Sequence, residues 1–596
     1  MLEIIVSWFV ITIITYSIGY SVLRLPAVIN RRVRLERFFL PSMLAGMMVC
    51  NVYAEVYSLF DGVGMLAFVI MSTIAIILLF INRRRIKEDL STAFSEAHPV
   101  SVILRIILIL LISFCSSTGY MHFDTGLYHA QAIRWIEEYG VVPGLANLEL
   151  RFGYNSSEFA LNALFGFKWL LGRSLHTTGG YLLMVSCMIA MGVGNAFKRI
   201  AFGAKDKKID IRLSDLVRIG LIFYICTILG EIVSPASDYY ALLLVFDIVI
   251  LWLDATYLHD ELVISEAELM AMYTFLSVLI LYTITIKLSA GLLVILAVEP
   301  ALMLIRHKKV KGILMGVGSG LIVLIPHLIR NVIISGWMLY PAVFPDIFSV
   351  DWKVPKGDAQ FDAVEIGLYG RGITDMSHMY DPITQWFGNW FGALKMLEKV
   401  WVIGSAVAVV AGLILLVVLL INAIRLKKDG ERDLPSLMIL PEYSVVFVTI
   451  ASCVIFWFRS APLVRYGYAY LIILPILVFG YVFILIRELI AEYSERLKKI
   501  TGLLAAAVVM LFLLSKAYDI IVLVGSEVDN GTLLTQMDYP NGAAECYDVD
   551  GQNIYIAVDR GQIGYYKFPA TSLIRDDLHL RGDSLEDGFT RNKIRD

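Results

Sequence analysis

Asp124 opens the stretch FDTGLYHAQAIRWIEEYGVVPGLANL, and His129 and Arg134 follow it at helical spacing. A carboxylate at such a position can act as a general base toward a hydroxyl. It can equally cap a helix, since Asp is a preferred N-cap residue. The two roles are compatible. A lone histidine such as His129 is more often a hydrogen-bonded structural residue than a catalyst.

A second set of charges recurs in otherwise apolar sequence. Asp238 follows SPAS, Lys287 lies in TITIKLSAG, His327 and Arg330 lie in PHLIRN, and Arg459 and Arg465 flank WFRSAPLVRYGYAY. A charged side chain costs roughly 2.5–3.5 kcal/mol at a bilayer centre on insertion scales. An arginine at a helix end can escape that cost by snorkelling. Four cations (Lys287, Arg330, Arg459 and Arg465) facing one cavity would instead suit a phosphate or pyrophosphate, with arginine supplying forked donors. His129, Arg134, Asp238 and His327 complete the set of candidate substrate-binding residues.

The elements that must position these groups are transmembrane helices. The chain has 596 residues, 58% hydrophobic and 17% charged, with a mean hydropathy of +0.72. Soluble chains carry roughly 25% charged residues. The apolar runs reach the roughly 20 residues a spanning helix needs, without the alternation of a β-barrel. About fourteen spans are expected: 2–23, 38–60, 63–81, 101–118, 176–197, 214–233, 239–256, 269–286, 288–305, 312–333, 398–423, 443–459, 463–486 and 500–522. The first is read as a retained helix, because no small-residue cleavage site follows it.

Lys and Arg are retained on the cytoplasmic side. The runs Arg24–Arg37, Arg83–Lys87, Lys198–Arg212, Arg306–Lys311, Arg425–Arg432 and Arg487–Lys499 all fall on one face with these spans. The connection 257–268 is acidic and carries little weight in that rule. The chain then divides into transmembrane helices (1–118), an exterior loop (119–175), transmembrane helices (176–333), a second exterior loop (334–397), transmembrane helices (398–522) and a small exterior C-terminal cap (523–596). In the first loop, Leu127, Ala130, Ile133 and Ile136 give an apolar helical face that Gly140 and Pro143-Gly144 end. Asn155 and Glu158 have the spacing of a second helix start. The run 158–173 is expected to lie along the membrane surface. The second loop is rich in Trp, Tyr, Pro and Gly, as either an aromatic belt or a lid would be. Asn155 and Asn530 head sequons. The tail has strand-like pieces such as NIYIAV.

Five of the six cysteines fall in spans and Cys546 stands alone, so neither a disulfide framework nor a metal spacing is present. No cofactor is expected, and no spacing argues for a divalent metal. Nothing basic enough for a nucleic-acid partner occurs.

The motif FDTGLYHAQAIRWIEEYGVVPGLANL…FGYNSS, with RNVIISGWMLYP and the closing LRGDSLEDGF, resembles a family of bacterial multispanning envelope proteins along most of the chain. The layout is also similar to the GT-C glycosyltransferase superfamily. That resemblance implies an all-α polytopic fold and a polyprenyl-phosphate or polyprenyl-pyrophosphate sugar donor. It also implies an essential acid in the first large exterior loop, at the position of Asp124. Two features depart from it. Three extra spans precede the loop, and Thr125 and Gly126 stand where a paired acid would be.

The expected function is therefore transfer of a sugar to an envelope glycan, lipid or protein acceptor, at the exterior face of the bacterial cytoplasmic membrane. A polysaccharide polymerase or ligase is the first alternative. A lipid-linked saccharide transporter or flippase is the second; it would show internal repeats and mid-membrane charges, and no repeat is evident.

Overall fold

The computed structural model describes residues 1–95, 98–202, 211–429, 441–527, 533–559, 561–573 and 575–591. The expected basic runs Lys198–Arg212 and Arg425–Arg432 lie partly outside the described residues, and Asn530 lies wholly outside them. The chain is predominantly helical. Among the described residues, eleven helices are long and apolar enough to cross a membrane. The expected spans 101–118 and 214–233 are the helices Pro99–Cys115 (17 residues) and Leu213–Ile228 (16 residues). Both fall short of the roughly 20 residues that crossing requires. The expected span 500–522 lies within the helix Glu495–Glu527, which is outside the eleven.

The first two helices are locked by glycine. A Cβ on Gly19 would stand 1.7 Å from the Ser42 carbonyl oxygen, and one on Gly46 1.8 Å from that of Thr15. Small residues let backbones approach closely where lipid supplies no hydrophobic drive. Gly46→Ala is expected to lower the thermal midpoint in detergent, at the overpacking cost of about 1–3 kcal/mol. An unchanged midpoint would refute the close contact.

At Lys287 the chain turns back on the Glu266–Ile286 helix. It continues as a 3-10 helix, Leu288–Ala297, and then as the α-helix Val298–Arg306. Ten residues at about 2.0 Å and nine at about 1.5 Å carry this element about 33 Å. The 3-10 half thus lets a short element cross the hydrocarbon.

The long connections and the C-terminal segment gather at one end of the bundle. The apolar face expected around Ile133 and Ile136 is the helix Ala130–Tyr139, which ends at Gly140 with φ 73°. The expected surface helix 158–173 is corrected. Its first part, Glu158–Leu164, is buried on every side against the Phe39–Tyr57 and Ala130–Tyr139 helices. Phe167, at φ 52°, breaks the run. Only the short Lys168–Leu171 turn exposes Trp169 and Leu170. The sequence pattern marks an apolar run but does not say whether lipid or protein covers it.

The C-terminal segment is built from strands. Ala544–Val549 pairs antiparallel with Gln552–Ala557, which pairs parallel with Ala570–Thr571; His579–Leu580 pairs with Phe589–Thr590. It docks on the first long connection. Gln131 donates to the carbonyls of Gly564 and Lys567, both at 2.8 Å, and Arg134 to those of Tyr565 and Tyr566 at 2.8 and 2.9 Å.

Glu137 joins this clasp by accepting from the hydroxyls of Ser174 and Tyr565. Burial pushes its carboxyl up to about 6, against the pull of those two hydroxyls. An acid whose pKa rises on folding favours the folded state when protonated. The contribution of Glu137 is therefore fully present below about pH 4.5 and is lost as pH climbs through 6. The shift exceeds one unit, worth more than about tenfold in equilibrium. Limited proteolysis of the C-terminal segment should quicken between pH 4.5 and 7, and Glu137→Gln should flatten that dependence. Equal sensitivity at both pH values would contradict it.

Candidate functional site

Asp124 does not cap its helix. The turn that follows it, Thr125–His129, is a π-turn, and the Asp124 side chain makes no capping bond. π-turns occur frequently at functional sites. The carboxylate points instead to Arg465, whose Nη2 donates to Oδ2 at 3.1 Å.

Arg465 sits in the first turn of the Val464–Pro475 helix and makes a second ion pair, Nε to Asp238 Oδ2 at 3.0 Å. Asp238 occupies the first turn of the Ser237–Asp260 helix, where the helix dipole favours an acid. Its other oxygen pairs with Lys287. Tyr466 lies beneath both cations, with the Lys287 ammonium 3.9 Å and the Arg465 guanidinium 5.2 Å from the ring centre. Three helix ends and one long connection thus bring Asp124, Asp238, Lys287 and Arg465 together.

His122 completes the cluster. Arg465 donates to its Nε2. The Asp124 backbone N–H donates to the His122 Nδ1 at 3.1 Å, and Asp124 Oδ2 lies 3.6 Å from that nitrogen. Burial, and then the Arg465 guanidinium, hold His122 below its ordinary pKa, so it stays neutral and able to accept. Burial alone would raise the Asp124 carboxyl. The charges of His129, Arg465, His122 and Lys287 outweigh it and hold the group below its usual value. Burial also drives His129 down to about 3, so near neutral pH the Arg465 guanidinium is the cation that pairs with the carboxylate. Asp124 and Asp238 both pair with Arg465, and Asp238 also pairs with Lys287, whose ammonium burial pulls down to about 7.

Arg465 also faces a cavity of 970 Å³. Its walls are the end of the Leu213–Ile228 helix with Glu231, residues 369–398 of the second long connection, and residues 462–468. Trp386 and Trp390 form part of the wall, so the aromatic run serves the cavity. Tyr239 also lines it. Tyr239 donates its hydroxyl to Glu231 and stands edge-on to His122, with centroids 6.3 Å apart. Asp124, Asp238 and Lys287 sit behind this lining.

The remaining expected residues go elsewhere. His327 Nδ1 pairs with Glu55 Oε1 at 3.0 Å. Arg330 is 1% exposed; it donates to Asn155 Oδ1 at 2.9 Å and to Ser58. These two residues clamp helices together and do not join Asp124. Asn155 is itself buried, which removes its sequon from access. Arg459 is exposed and pairs with no acid among the described residues, as a snorkelling arginine would. Arg134 holds the C-terminal segment. His129 packs between Tyr128 and Phe159. The single cavity shared by Lys287, Arg330, Arg459 and Arg465 is therefore corrected to a cluster holding Lys287 and Arg465.

Sequence reasoning missed His122, Glu231 and Tyr239. The only available signals were the MHFD run, which sets His122 two residues before Asp124, and the acid in LGEIVSPAS ahead of Asp238. Two further cations in the cavity wall, Lys395 and Arg371, whose guanidinium lies over the Trp386 ring, gave no signal at all. Among the described residues, no group of three or more His, Cys, Asp or Glu side chains could hold a metal ion. Among the described residues no disulfide joins the cysteines.

No curated protein and no solved structure matches the chain. The family described as "Domain of unknown function (DUF8201)" matches residues 1–472, a range that includes every member of the Asp124–Arg465 cluster. The chain belongs to the DUF8201 family.

Proposed function

We propose that the protein is a membrane glycosyltransferase of GT-C type. It would transfer a sugar from a polyprenyl-phosphate or polyprenyl-pyrophosphate donor to an envelope glycan, lipid or protein acceptor on the exterior side of the cytoplasmic membrane. The observation that carries the reading is an aspartate held ionised by an arginine that itself reaches a large cavity beside helix ends.

In this reading Asp124, behind the lining but 26% exposed in its side chain, takes the proton of the acceptor hydroxyl through one bridging water as the hydroxyl oxygen attacks the anomeric carbon. The bond to the donor phosphate breaks, and the leaving group departs with the electron pair. Arg465 offsets the charge that develops there, and Lys287 stands behind it. A donor phosphate that draws on Arg465 loosens its hold on Asp124. The base then gains strength as the donor binds. Glu231 and Tyr239 contribute the cavity face nearest His122 and would meet the acceptor.

A cavity at the upper end of the roughly 300–1,000 Å³ range of ligand sites also suits a polymerase joining two lipid-linked saccharides. Purified protein in nanodiscs, given lipid-linked saccharides from envelope extracts, separates the two by mass spectrometry of the products. Addition of one sugar supports transfer, and a ladder of repeat units supports polymerisation. Release of neither product would sink both.

A further inference from the structure

The loop between the strands Gln552–Ala557 and Ala570–Thr571 does more than clasp the Ala130–Tyr139 helix. Its carbonyls, from Gly564 to Lys567, accept from Gln131 and Arg134. Its donors go to the turn that carries Asp124. The Ile563 and Gly564 N–H groups both donate to the Gly126 carbonyl, at 3.0 and 2.9 Å. The Gln562 side-chain Nε2 donates to the Phe123 carbonyl at 3.0 Å. One loop therefore grips the main chain on both sides of Asp124, one residue before it and two residues after it.

The fit between loop and turn is close. A Cβ on Gly126 would stand 2.2 Å from Gln562 Oε1, and one on Gly561 2.6 Å from a Leu127 methyl. Gly561 and Gly564 hold φ at 74° and 75°, in the left-handed region that glycine enters without steric cost. A Cβ on Gly564 would stand 1.7 Å from the Pro540 carbonyl oxygen, so the loop is backed by chain behind it. Gly126 and Ile563 are both buried. The Asp124 side chain makes no capping bond to its own turn, so the direction of its carboxylate follows from where the main chain is held.

We propose that Gln562 is a positioning residue for Asp124: with the Ile563 and Gly564 N–H groups, it holds the 123–126 main chain where the Asp124 carboxylate meets Arg465. The C-terminal segment is then part of the site's framework as well as a cover over the first long connection. The effect on turnover rests on the reading of Asp124 as a base, whereas the positioning itself does not.

A thermal-unfolding cycle of the full chain in nanodiscs tests the positioning without an activity assay. Gln562→Ala removes the bond to Phe123, and in the unaltered chain it should also slacken the Asp124–Arg465 ion pair. In the Asp124→Asn chain that ion pair is already gone. The fall in midpoint caused by Gln562→Ala should therefore be smaller in the Asp124→Asn background. Equal falls in the two backgrounds, or no fall in either, overturn the proposal and leave the transferase reading untouched. Gly126→Ala, whose methyl displaces the same amide, runs the cycle from the side of the turn and should give the same sign; equal falls there also overturn it. In a turnover assay, Gln562→Ala should cut kcat by up to about 10²-fold at near-constant KM, the cost of a misplaced reacting group. Unchanged kcat in the variant would make Gln562 a structural residue only and overturn its positioning role.

Discussion

Asp124→Asn is expected to cut turnover by about 10²–10⁴-fold, the usual worth of general-base help, while the protein stays folded. The amide keeps the shape of the carboxyl group and loses only its charge, and Lys287 and Arg465 retain Asp238 as a counter-ion. The thermal midpoint in detergent should therefore move little. The comparison to make is turnover against midpoint in the same preparation. Near-normal turnover in a folded Asp124→Asn protein removes the base assignment. Lost turnover with a collapsed midpoint would make Asp124 a structural residue instead.

The second large effect falls on Arg465, and it differs in kind. Arg465→Gln leaves the Asp124 carboxylate buried without its nearest cation. Breaking a buried ion pair from one side costs about 3–5 kcal/mol. Asp124 retains 26% side-chain exposure, which places the expected cost near the lower figure. The same substitution removes the donor that reaches the cavity, so activity should fall with stability. Arg465→Lys keeps the charge but loses the fork that serves Asp124 and Asp238 together, so it should rescue stability more than turnover. In the double variant Asp124→Asn/Arg465→Gln the orphaned carboxylate is gone. Its loss of stability should be smaller than the sum of the single losses, by a coupling of about 0.5–3 kcal/mol. Strict additivity in thermal unfolding would mean that the two side chains do not interact.

Both predictions rest on residues the sequence singles out, yet their association could not be read from it. Hydropathy and the distribution of Lys and Arg give each residue a depth along the membrane normal. They do not give its position around the bundle. Lys287, Arg330, Arg459 and Arg465 are expected at one depth from the span boundaries, but helix packing sends Arg330 toward Glu55 and Asn155 and leaves Arg459 exposed. The helix after Asp124 was legible because Ile133 and Ile136 mark its apolar face and Gly140 its end. The π-turn was not, since Thr125–His129 carries no breaker. The run 158–173 reads as a surface helix because its apolarity is the same whether lipid or protein surrounds it. The strands after Asn541 were partly legible in NIYIAV, but their clasp on Gln131 and Arg134 joins residues more than four hundred positions apart. Such pairs leave no local pattern.

The central claim is that Asp124 is the base of a glycosyl transfer. Mass spectrometry of envelope glycans from cells whose chain carries Asp124→Asn tests it most directly, with the variant shown to be present and folded. Glycans lacking one sugar, with the lipid-linked donor accumulating, are the predicted result. A glycan profile identical to that of cells with the unaltered chain would contradict the account.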